Sequence, residues 1–125
     1  MTQLSTVRAL VTGGGGGIGT AIGAALLERG ASVLLVDRDP AALDAAAQRF
    51  AATGLRLGTF AADLTRAEDR ARLVEQASSW HGGINTLVNN AGVNHFGMFQ
   101  DQDPGQIDLA LAINVQAPLH LCHAM

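Results

Sequence analysis

Residues 13 to 17 are five consecutive glycines, followed by Ile18-Gly19. Glycine lets a backbone come close to a ligand. A helix opening at such a run would present unpaired N–H groups and a partial positive charge, which suit a pyrophosphate. About twenty residues further on, Asp37 ends an apolar run, a position where an acid can accept both ribose hydroxyls of an adenosine. The same carboxylate repels a 2′-phosphate, so it favours NAD over NADP. Arg38 pulls the other way, because a guanidinium can bind that phosphate. Asp63, in Ala62-Asp63-Leu64-Thr65, could accept from an adenine amino group or simply sit near a helix N-terminus. In Asn89-Asn90-Ala91-Gly92 the amides can bridge neighbouring backbones, and the small pair lets a ligand lie close. A structural role and a ligand contact are both open for Asn90. His120, Cys122 and His123 do not add up to a metal site. On a helix 120 and 123 are neighbours while 122 points elsewhere, and no further ligand is evident.

The elements needed to position these groups follow from local pattern. Val7–Thr12 reads as a buried strand that breaks at the glycines. From Ile18 the apolar residues recur at helical spacing, and Gly30 supplies the stop. Ser32–Val36 is apolar on consecutive positions, as in a strand covered on both faces. Pro40 opens an alanine-rich helix through Phe50. Leu55–Phe60 is the third strand, interrupted by Gly58. Thr65 is expected to cap a helix over Arg66–Trp80, with Glu68 completing a capping box. Gly82-Gly83 ends that helix, Leu87 and Val88 centre a fourth strand, and a last helix runs from near Pro104. It is expected to bury Ile107, Leu111, Val115 and Leu119 on one side. The alternation βαβαβαβα argues for an α/β fold, a Rossmann-like doubly wound parallel sheet with right-handed crossovers.

Composition narrows the chemistry. The chain has 125 residues, enough for one domain, with 48% hydrophobic and 15% charged residues, which favours a packed core. A formal charge of -3 offers no electrostatic footprint for nucleic acid or an anionic membrane. No apolar run approaches the ~20 residues that span a bilayer. The lone Cys122 and the lack of a secretion signal point to the cytoplasm. All eight basic residues are arginine, and tyrosine is absent. That removes a P-loop, a Schiff-base lysine and any step requiring Lys or Tyr from within these residues.

Taken together, Thr12-Gly13, Gly17-Ile18-Gly19, Asp63-Leu64 and Asn89-Asn90-Ala91-Gly92 resemble, in order, the TGxxxGIG, DL and NNAG elements of the short-chain dehydrogenase/reductase family. Asn114, in Ile113-Asn114-Val115, falls where that family carries an asparagine on its fourth helix. The resemblance spans essentially the whole chain. It implies NAD(P)-dependent hydride transfer with an alcohol or carbonyl, and a cofactor site built from Thr12, Gly13, Gly17, Ile18, Gly19, Asp37, Asp63, Leu64, Asn90, Ala91 and Gly92. It also implies a homo-oligomer in the full-length form, often joined through a surface on the last helix. The family's catalytic group is a Ser, a Tyr, a Lys and an Asn, and Asn114 is the one counterpart here. The chain is therefore expected to be a Rossmann domain incomplete at its C-terminus and inactive alone. Alternatives are a non-catalytic nucleotide-binding or interaction module and, more distantly, an S-adenosylmethionine methyltransferase.

Overall fold

The computed structural model describes residues 2–50 and 56–125. Four strands, β1 (Arg8–Thr12), β2 (Ser32–Asp37), β3 (Leu57–Ala61) and β4 (Thr86–Val88), form one parallel sheet in the order β3-β2-β1-β4. Between and after them lie α1 (Gly17–Glu28), α2 (Pro40–Phe50), α3 (Ala67–Ser79), α4 (Pro104–Leu111) and α5 (Ala117–Ala124). Reversal of strand order beside β1 makes the sheet doubly wound, as the alternation of elements required. β3 and β4 are the two edges.

Alternation along the strands divides the core between the two faces. Val11, Val33 and Leu35 join Leu27 of α1 and Leu43 of α2 on one side. Leu10, Leu34 and Val36 join Leu73 of α3 and Leu121 of α5 on the other. Both central strands are therefore buried on both faces, which is why they read as continuous apolar runs. Gly58 does not break β3. A Cβ there would stand 2.8 Å from Nε1 of Trp80, so the glycine makes room for the indole across the strand. No described helix is long and apolar enough to cross a membrane.

Three expectations need correction. β3 begins at Leu57 and extends to Ala61, and Leu55 lies outside the described residues. α3 begins at Ala67 with Arg66 at the cap and no side-chain cap bond. Thr65 instead turns back to Asp63, donating from its amide at 3.0 Å and its hydroxyl at 2.7 Å. Asp69, one position past Glu68, accepts from the Asp63 amide at 2.8 Å. The true capping box is at α4, where Asp103 accepts from Gly105 and Gln106 accepts from the Asp103 amide.

The third correction concerns the last helix. A π-helical turn over Ala112–Gln116 separates α4 from α5. Leu111, Val115 and Leu119 are exposed, and only Ile107 of the expected stripe is half-buried. Leu109, Ile113, Ala117 and Leu121 face the protein instead. The two stripes share the same i,i+4 spacing, so periodicity alone could not choose between them.

Candidate functional site

The C-terminal ends of all four strands converge on one cleft of about 260 Å³. Its walls include Gly13, Asp37, Arg38, Asp63, Gly92 and Val93. In open α/β sheets this is where ligands bind, beside the point where strand order reverses.

Thr12 and Asn90 build the frame. The buried Thr12 hydroxyl accepts from the Asn90 and Ala91 amides, each at 3.0 Å, and donates to the Val88 carbonyl at 3.4 Å. Asn90 Nδ2 returns the contact, donating to the Thr12 carbonyl at 3.0 Å and the Gly13 carbonyl at 3.3 Å. The ends of β1 and β4 are thus stitched side chain to backbone. Asn90 spends its amide donor on structure. Leu64, 7% exposed, belongs to the core and supports the cleft from below.

The glycines have distinct jobs. Gly13 has φ +64°, where a side chain is strained, and a Cβ would meet Asn90 Nδ2 at 2.9 Å. Gly14 donates to the Val36 carbonyl at 2.8 Å, and its Cβ would strike Leu35 Cβ at 2.7 Å. Gly19 passes so close to the Gly13 carbonyl oxygen that no Cβ fits. These three serve close packing of loop on strand and helix on loop. Gly17 differs, because a Cβ there would meet nothing within 4 Å. Among the described residues no acceptor takes the amides of Gly17, Ile18 or Gly19, and α1 has no side-chain cap. Ile18 beside them is 73% exposed. An open first helical turn with free donors fits an anionic diphosphate.

Two carboxylates face the same cleft. Asp37 Oδ2 accepts from the Gly15 amide at 3.1 Å, and Oδ1 from the Asp39 amide at 3.1 Å. A carboxylate offers about four acceptor positions, so both oxygens keep capacity for a diol. At the end of β3, the Thr65 hydroxyl and then the Thr65 amide hold the Asp63 carboxyl below its ordinary range. Asp69 is lowered too, first by the Asp63 amide and then by Arg72. Asp63 therefore stays ionised further into acid than an ordinary aspartate and can accept from an exocyclic amine.

Across the cleft, Asn114 sits in the π-helical turn and grips Val93 through both ends of its amide. Oδ1 accepts from the Val93 amide at 2.9 Å, and Nδ2 donates to the Val93 carbonyl at 2.8 Å. A Cβ at Gly92 would come within 3.3 Å of Asn114 Oδ1, so Gly92 serves this clamp as well as the cleft. Sequence reasoning missed Val93, Leu109 and Ile113 as lining residues. As ordinary apolar residues they carry no local signal. Among the described residues, no group of three or more His, Cys, Asp or Glu side chains could hold a metal.

Comparison with known proteins agrees with this geometry. A family model described as short chain dehydrogenase matches residues 7–125. The 2-(S)-hydroxypropyl-CoM dehydrogenase 3 of Xanthobacter autotrophicus is 39% identical over 105 residues, covering 84% of this chain and 41% of that protein. The D-beta-hydroxybutyrate dehydrogenase of Cupriavidus necator is 36% identical over 121 residues, 94% of this chain and 46% of that protein. A metagenomic short-chain oxidoreductase solved in complex with NADP superposes with a TM-score of 0.90 at 36% identity, over 98% of this chain and 56% of that one. This chain spans less than half the length of both curated relatives.

Proposed function

The chain belongs to the short-chain dehydrogenase/reductase family, and from that premise we propose that it is the NAD-binding part of an oxidoreductase acting on an alcohol or carbonyl. One observation carries the reading: Asp37 and Asp63 line one cleft with Gly13, the first glycine of the loop that leads into the open first turn of α1. The free amides of Gly17, Ile18 and Gly19 would take the diphosphate, and Ile18 lies exposed beside them. Asp37 would accept the adenosine ribose hydroxyls, and Asp63 the adenine amino group.

NAD is preferred over NADP because a 2′-phosphate would stand against the Asp37 carboxylate. Arg38 is exposed at the rim, where water and salt screen its charge. When bound, the nicotinamide supplies the acceptor or donor of hydride. This chain's residues bind and orient it. Asn114, with both amide ends on Val93, holds the turn after β4 against the last helix. The family's Tyr and Lys have no counterpart among these 125 residues. The role assigned to this chain is therefore cofactor binding rather than proton transfer.

Calorimetric titration with NAD+, NADP+ and S-adenosylmethionine tests the reading. NAD+ should bind most tightly. Asp37→Ala should weaken it by about 1.5–3 kcal/mol, the range for hydrogen bonds to a charged group. Equal NAD+ affinity in the two proteins, or tighter binding of S-adenosylmethionine, would overturn it.

A further inference from the structure

Gly15 is the loop glycine whose contacts neither the frame nor the open helix turn explains. Its φ is not in the left-handed region, so the backbone alone would accept any residue. What excludes a side chain is its surroundings. A Cβ would stand 2.8 Å from Ala42 Cβ on α2 and 3.1 Å from Asp37 Oδ2. Its amide donates to that same oxygen at 3.1 Å. The other carboxylate oxygen is held by the Asp39 amide, so the carboxylate is pinned at both ends by backbone donors.

We propose that Gly15 is a positioning residue for dinucleotide selectivity: it fixes the Asp37 carboxylate where that group accepts a ribose diol and repels a 2′-phosphate. This rests on the reading of the site as NAD-preferring. The physical case is that a free Asp side chain has two soft torsions and would share its time among rotamers. Two backbone donors select one rotamer before ligand arrives, so little ordering remains to oppose binding. A methyl at position 15 would push against Oδ2 from the side of its own amide, lengthening that bond and turning the carboxylate. Arg38 lines the same cleft. With Asp37 displaced, the guanidinium would face a 2′-phosphate with less opposing charge.

The test separates crowding on α2 from displacement of Asp37. Gly15→Ala alone can fail through its contact with Ala42. The double variant Gly15→Ala/Ala42→Gly removes the tightest contact, that with Ala42 Cβ, and leaves those with Asp37 Oδ2 at 3.1 Å and the Ala42 carbonyl carbon at 3.2 Å. NAD+ and NADP+ dissociation constants are measured for the unaltered protein, Ala42→Gly and the double variant. The inference expects Ala42→Gly to keep the unaltered selectivity and the double variant to lose at least about tenfold in the NAD+/NADP+ ratio. A purely structural role would weaken both cofactors equally and leave the ratio in place, which overturns the inference but not the NAD reading. An unaltered protein without NAD+ preference overturns the NAD reading and the inference with it. Hydrogen exchange at the Gly15 amide gives a second check that needs no change at position 15. Exchange in the unaltered protein should be slower than in Asp37→Ala, and equal rates would show that the clamp does not exist.

Discussion

Gly17→Ala separates what the glycine loop does for the fold from what it does for the ligand. Gly17 is the first residue of α1, its φ is helical, and a Cβ would meet nothing within 4 Å. For the fold the substitution is therefore favourable. Replacing a glycine by alanine at a compatible position stabilises by about 0.4–1 kcal/mol, mostly by restricting the unfolded chain. At this chain length that raises Tm by roughly 2–5 °C. For the ligand the same methyl fills the space in which a diphosphate would approach the free amides. Losing one charge-assisted hydrogen bond costs about 1.5–3 kcal/mol, a factor of roughly 10–150 in dissociation constant. Gly19→Ala is the contrast, because its Cβ collides with the Gly13 carbonyl and lies 2.9 Å from Asn90 Nδ2. It should destabilise by about 1–3 kcal/mol or more. Differential scanning fluorimetry with and without NAD+ reads both effects. The combination sought in Gly17→Ala is a higher Tm without ligand and a smaller ligand-induced shift. A higher Tm with an undiminished shift would mean that no phosphate sits on this turn.

Three further outcomes follow from contacts elsewhere in the fold. Asn114→Ala removes both bonds to Val93 and should cost about 1–2 kcal/mol, seen as a lower urea midpoint with unchanged m; an unmoved midpoint would show that the clamp adds nothing. Thr65→Ala should raise the Asp63 pKa toward the ordinary aspartate value, followed by NMR titration. Because the folded value is depressed, this stabilisation is complete above the unfolded pKa of about 3.9 and is lost as pH falls through the folded value, so the stability gap between the two proteins should narrow in acid. Gly58→Ala drives a Cβ into the Trp80 indole and should cost about 1–3 kcal/mol. Trp80 is the sole tryptophan, so a red-shifted emission reports its displacement directly, and unchanged emission would contradict the packing.

Element types, their order, the doubly wound parallel sheet and the positions of Asp37 and Asp63 at strand ends were legible in the sequence. The reason is that these features are set locally. Consecutive apolar residues mark strands buried on both faces, glycine and proline mark the breaks, and βαβ handedness leaves few topologies. What the sequence could not assign was partnership between distant side chains. Thr12 and Asn90 were both named as candidates from the sequence, yet only folding brings the Thr12 hydroxyl against the Asn90 and Ala91 amides, 78 and 79 positions away in sequence. Thr65 and Glu68 satisfied the capping pattern, but the threonine amide and hydroxyl both donate to Asp63, and Asp69 accepts from the Asp63 amide.

The glycine run shows the same division within seven residues. As letters, Gly13 to Gly17 and Gly19 are equivalent. Their neighbours distinguish them: Leu35 against Gly14, Ala42 and Asp37 against Gly15, the Gly13 carbonyl against Gly19, and open space at Gly17. The last helix makes the point on a larger scale. Leu109, Ile113, Ala117 and Leu121 and the stripe of Ile107, Leu111, Val115 and Leu119 have identical spacing, and the second is the larger and more apolar in composition. Spacing determines that a helix has an apolar face. Which face is buried depends on where the chain enters and leaves the helix, and here the Asn114 clamp on Val93 and the packing of Leu121 against the sheet decided it.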